Sequence, residues 1–83
     1  MELKEQFEQA VSQSKSLPEK PSNDILLKIY SLFKQATDGD VSGDRPGGFD
    51  FVAAAKFDAW SGQKGKSSEN AMQEYVALIE SLK

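Results

Sequence analysis

A small all-α bundle is the fold class that this 83-residue sequence predicts. Three observations predict it. Four segments carry apolar residues at helical spacing, none shows the sustained alternation of a strand, and clusters of proline or glycine separate the segments. Helices with one apolar stripe each can bury those stripes only on one another, which gives a four-helix bundle. The pattern alone leaves the topology open.

The first helix is predicted over residues 2–17, where Leu3, Phe7, Ala10, Val11, Ser14 and Leu17 share a face. Lys15 sits just off the edge of that face. Pro18 and Pro21 then break the chain, because proline lacks the N–H a helix interior needs and biases its predecessor toward extended structure. Ser22 or Asn23 can cap the second helix, and Asp24 favours its positive end.

That second helix, ending near Ala36 or Thr37, has more apolar surface than one core contact requires. Ile25, Ile29, Leu32 and Ala36 form a narrow core stripe. Leu27, Tyr30 and Lys34 form another, with Leu26 and Phe33 between the two. Lys28, Ser31 and Gln35 remain as a polar back. The surplus stripe ends in an aromatic residue and a lysine, which suits a ligand with an apolar part and an anionic part.

Residues 38–49 hold four of the six glycines and a proline. A connector of about a dozen residues is long for a small domain and is expected to be functional or packed on itself. Asp50 is the predicted cap of a third helix running to Ser61, with Ala53, Phe57 and Trp60 on its apolar face and Lys56 beside it. Gly62 to Gly65 break it. Ser67 caps the fourth helix, whose stripe is Met72, Tyr75, Val76, Ile79 and Leu82, with Leu78 beside it.

Composition removes several function classes. The chain has no cysteine and no histidine, so it lacks disulfides, thiolate metal sites and the commonest general base. Its net charge of -3 argues against a nucleic-acid surface, which is usually basic. The opening MELKEQFEQ has no apolar signal core, and no apolar run approaches the roughly 18–20 residues of a membrane span. The expectation is a soluble, cytoplasmic, monomeric protein, with residues 1–83 forming a single domain.

Two apparent motifs fail on inspection. Asp38, Asp40, Ser42 and Gly43 mimic the start of a calcium loop, but Phe49 stands where the bidentate Glu belongs and Pro46 falls inside. Gly65-Lys66-Ser67 resembles the end of a phosphate loop, but Trp60 occupies the place of the upstream glycine. No metal and no nucleotide-triphosphatase chemistry is expected.

Tyr30, Phe33 and Lys34 can be peripheral core with a solvated end, since aromatic stripes are usually core. Lys56, Tyr75 and Lys15 add two cations and an aromatic at the margins of the other faces. These residues could converge on one mouth, and spacing alone leaves that open.

The chain resembles the acyl-CoA-binding protein family. The resemblance is carried by Pro21, Ser22, Asp24, Leu26, Ile29, Tyr30, the run Phe33-Lys34-Gln35-Ala36-Thr37, and Gly39. It continues in Asp44-Arg45-Pro46-Gly47, Ala55-Lys56-Phe57-Asp58-Ala59-Trp60 and Gly65-Lys66-Ser67, then through Ala71-Met72 to Tyr75. It spans nearly the whole chain in matching order and spacing. It implies an up-down-down-up bundle and a carrier of medium- to long-chain fatty acyl-CoA, with no catalytic residue and no cofactor.

Carried over residue by residue, the resemblance implies that Tyr30, Lys34 and Lys56 contact the phosphates of coenzyme A. Phe33 and Tyr75 would pack around adenine and ribose, and Lys15 would help at the pantetheine or acyl end. Leu27, with Phe7 and Ala10, would shelter the acyl chain. Departures are Phe33 for a frequent tyrosine, Phe57 for tryptophan, Ala53 for glycine, and Val52 where a lysine often contributes. Expected partners are the acyl-CoA ligand and, transiently, enzymes that make or use it. The alternative is a helical interaction module whose surplus stripe on the second helix docks a partner helix.

Overall fold

A computed structural model describes residues 2–83 as four α-helices: α1 (Leu3–Gln13), α2 (Asn23–Asp38), α3 (Phe51–Ser61) and α4 (Ser68–Leu82). Among the described residues there is no strand. The first helix is shorter than its apolar stripe suggests, because residues 14–16 tighten into a 3₁₀ turn before the proline break. There the Ser14 hydroxyl donates to the Val11 carbonyl at 2.6 Å.

Local chemistry sets the other ends. The Ser22 hydroxyl accepts from Ile25 N–H at 3.3 Å, Asp50 from Ala53 N–H at 3.0 Å and Ser67 from Asn70 N–H at 3.1 Å, each satisfying a donor the first turn leaves open. Gly39 stops α2 at φ +83°, a backbone conformation that a side chain would disfavour.

The helices pack unequally. α4 lies against both α1 and α2, whereas α3 packs on α2. The core is Phe7 and Ala10 from α1, Leu32 and Ala36 from α2, and Ala71, Tyr75 and Ile79 from α4. The directions follow from which ends meet. The Ser68 hydroxyl donates to the Ala36 carbonyl at 2.6 Å, so α4 starts where α2 finishes. Trp60 Nε1 donates to the Gly39 carbonyl at 2.8 Å, so α2 and α3 finish together and run parallel. The ends of α1 and α4 also lie together, with Leu17 and Pro18 beside Lys83. The arrangement is up-down-down-up.

The expected apolar face of α3 is only partly realised. Ala54 is its one buried residue, and Ala53, Phe57 and Trp60 are half-buried. The long connector is tied down at three points. Arg45 forms a two-pronged pair with Asp58 at 2.8 and 3.0 Å, Trp60 holds Gly39, and Asp40 accepts from Gly65 N–H at 2.8 Å.

The polar back expected on α2 is corrected by these tethers. Ser31 and Gln35 are each 1% exposed. The turn after α3 and Asp40 of the connector supply hydrogen-bond partners to both. Gln35 Nε2 donates to both Asp40 Oδ1 and the Lys66 carbonyl at 2.8 Å, and Gln63 Nε2 donates to the Ser31 hydroxyl at 3.2 Å. Two acceptors fix the orientation of the Gln35 amide, leaving its oxygen buried without a protein partner. Only Lys28 of the three is exposed.

Candidate functional site

Because α2 and α3 are parallel, residues one turn apart on each meet in register. Tyr30 and Lys34 on α2 face Lys56 and Trp60 on α3. Lys56 Nζ lies 5.3 Å from the centre of the Tyr30 ring, and Lys34 Nζ lies 5.1 Å from that of Trp60. Both distances fall within cation–π range. The result is a short ladder of two cations and two aromatic faces along the seam between the helices.

The two lysines are held differently. Lys34 also pairs with Asp38, one turn along its own helix. That hydrogen bond raises the Lys34 ammonium above its ordinary pKa and lowers the Asp38 carboxyl below its own. Among the described residues no carboxylate ion-pairs with Lys56. Its charge is therefore available to an anion without displacing a carboxylate.

Below the Tyr30–Lys56 rung, the first turns of α2 and α3 diverge around a pocket of about 410 Å³. Its walls are Asn23, Leu26, Leu27 and Tyr30 from α2 and Phe51, Val52, Ala55 and Lys56 from α3. The lining is mainly apolar, with the cation at one end, which is the usual composition of a small-molecule site. Such a pocket can bury a hydrocarbon while the ladder holds a phosphate-bearing head.

Leu27, Tyr30 and Lys56 thus share one pocket, and Lys34 stands one turn beyond it. Phe33, Tyr75, Phe7 and Ala10 lie on the other side of α2, in the core. The Phe7 ring stacks on Phe33 at 6.0 Å and meets Tyr75 edge-on at 5.0 Å, with Phe33 tilted to Tyr75 at 6.5 Å. Tyr75 is 2% exposed; burial raises its hydroxyl pKa, and a hydrogen bond with Ser14 opposes the shift. Phe33 is half-buried, forming the outer edge of this aromatic cluster. Lys15 is exposed in the 3₁₀ turn, next to the serine that meets Tyr75.

Sequence reasoning passed over Asn23, Phe51 and Ala55 as walls and Trp60 as the platform for Lys34. One signal was available: Val52, Lys56 and Trp60 recur every four residues and form a stripe of their own. The aspartates of the apparent calcium loop are engaged elsewhere. Asp38 holds Lys34, while Asp40 bridges Gln35 and Gly65 N–H, contacts that keep its carboxyl below the ordinary range. Among the described residues no three metal-binding side chains converge, and no helix is long and apolar enough to cross a membrane.

Comparison with known proteins adds an independent finding. The family described as "Acyl CoA binding protein" matches residues 4–79. The chain is 49% identical over 80 residues to an acyl-CoA-binding protein homolog of Drosophila melanogaster, covering 96% of this chain and 93% of the relative. It superposes on the crystal structure of Oryza sativa Acyl-CoA-Binding Protein 2 with TM-score 0.93 at 42% identity, covering 98% of this chain and 90% of the other. A crystal structure of ACBP from Moniliophthora perniciosa gives TM-score 0.89 at 44% identity, with 99% and 80% covered.

Proposed function

The chain belongs to the acyl-CoA-binding protein family, and from that premise we propose that it is a non-catalytic, monomeric carrier of medium- to long-chain fatty acyl-CoA. It binds the thioester one to one and acts in the cytoplasm, buffering the ligand or delivering it to enzymes that make or use it. The observation that carries this reading is the Tyr30–Lys56 rung standing at one end of an apolar pocket, with Lys34 and Trp60 one turn further on.

The chemistry divides the ligand in two. Lysine is a compact charge suited to phosphate, so Lys56 and Lys34 take the phosphates of coenzyme A. Lys34 exchanges Asp38 for the ligand, whereas Lys56 has no carboxylate to exchange. Aromatic faces beside the cations accept the purine by stacking. Leu27 and the pocket walls take the first part of the acyl chain, with each buried methylene contributing about 0.8 kcal/mol. Phe7, Ala10, Phe33 and Tyr75 back the site through the core, and the family resemblance gives Lys15, in the turn after α1, a part at the pantetheine or acyl end.

Two kinds of surface must be engaged together, so neither half of the ligand should suffice. Titration calorimetry with palmitoyl-CoA, free coenzyme A and palmitate in parallel tests this. Tight one-to-one binding is expected for the thioester, with far weaker binding of the other two. Palmitate binding as tightly as its coenzyme A ester would overturn the proposal.

A further inference from the structure

Lys34 carries a partner that helix chemistry does not call for. Asp38 pairs with it from the last residue of α2, immediately before Gly39. A helix C-terminus favours cations, and α2 has none in its last turn. The pair also runs in the weaker order, since a carboxylate one turn before a lysine supports a helix better than one placed after it. The other group that lowers the Asp38 pKa by hydrogen bonding is Thr37, on the same helix. Among the described residues Asp38 therefore does not tether the connector, as Asp40 and Arg45 do.

The site supplies a reason. Lys34 Nζ stands 5.1 Å from the centre of the Trp60 ring, at the far end of the cation ladder. Its side chain is 27% exposed and that of Asp38 47%, so an anion arriving from solvent reaches both. A phosphate that takes Lys34 meets Asp38 twice. The carboxylate must first give up the ammonium, and it then faces the phosphate as a like charge. Lys56 imposes neither cost, because among the described residues no carboxylate ion-pairs with it. We propose that Asp38 is an internal competitor for the ligand's phosphates, which sets the affinity of the site through Lys34 and leaves the Lys56 rung as the unopposed anchor. The inference rests on the carrier reading and deepens it. A competitor tied to the same helix is present at every encounter, so it opposes capture and favours release. An exposed ion pair is worth up to about fivefold in affinity. A like charge a few ångströms from the phosphate adds a comparable factor in water.

The test is calorimetry with palmitoyl-CoA on the wild type, on Asp38→Asn, on Lys34→Ala and on the double variant Lys34→Ala/Asp38→Asn, a cycle that isolates what the two residues do together. Neither side chain belongs to the core, so the variants are expected to fold. Asp38→Asn keeps the shape and removes the charge, and it should bind about three- to tenfold more tightly than the wild type. In the Lys34→Ala background there is no ammonium to withhold, and the same change should gain under about twofold. Equal gains in both backgrounds would make Asp38 a distant charge and overturn its action through Lys34. No gain in the wild-type background, or a loss, would overturn the competitor and leave the carrier reading standing. A wild type that does not bind palmitoyl-CoA overturns both.

Discussion

The two sides of α2 are both built from aromatic residues, and they are built to opposite ends. Toward α1 and α4, Phe33 joins Phe7 and Tyr75 in a ring-on-ring cluster backed by fully buried Leu32 and Ile79. Toward α3, Tyr30 and Trp60 each carry a lysine on their face, and the seam opens into a pocket. Rings that meet rings expel water and add stability. Rings that meet cations keep a polar, partly solvated surface that a ligand can enter. The difference teaches where each cost falls: α1, α2 and α4 enclose the core, and the seam between α2 and α3 forms the site.

The largest effect that would break this comparison is on stability. Leu32→Ala removes a side chain with no exposure at the meeting of α1, α2 and α4. It should cost about 2–5 kcal/mol, a large share of what a domain of this size has. The molecules that remain folded should bind acyl-CoA as before. Urea unfolding and calorimetry on one sample measure both quantities. A loss of affinity without a loss of stability would show that the closed side takes part in binding directly.

The mirror-image change comes next. Lys56→Ala deletes an exposed side chain, so stability should move by no more than about 0.5 kcal/mol. Affinity for palmitoyl-CoA should fall about 10- to 150-fold, the worth of a hydrogen bond to a charged group, about 1.5–3 kcal/mol. If affinity is unchanged while stability falls, the rung is structural and the proposed division of labour fails.

Much of this was legible because it is local. The caps Ser22, Asp50 and Ser67 and the start of α3 follow from residues within one turn of each other. The surplus stripe of α2 was legible for the same reason, since periodicity is a property of one helix. The burial of Ser31 and Gln35 was not, because their partners lie in a turn about thirty residues away and a polar side chain on a helix back ordinarily faces water. The Lys34–Trp60 rung was hidden likewise. It needs the register between two parallel helices, which the connector sets and the periodicity of neither helix encodes. Tyr75 reads as part of the α4 stripe, and its ring lies in the core cluster; the role beside adenine and ribose comes from the resemblance and not from its stripe.

The smallest effect concerns the polar junction that holds the open side in place. Asp40 accepts from Gly65 N–H and from Gln35, and these contacts lower its pKa in the folded protein. The unfolded chain therefore takes up this proton more readily than the folded one. Stability from Asp40 is present above the ordinary aspartate value of about 4 and is lost as pH falls through the lower folded value. Both contacts fall on Oδ1, so an asparagine can keep them and place its amide nitrogen where Oδ2 was. Asp40→Asn should thus cost little near neutrality and lose less than the wild type on acidification. Asp38 and Asp58, whose pKa values are also lowered by their partners, keep the wild-type acid loss from vanishing in the variant. Urea midpoints from pH 6 to pH 3 give the comparison. Parallel curves for the two proteins would mean that Asp40 acts here through its shape and not its charge.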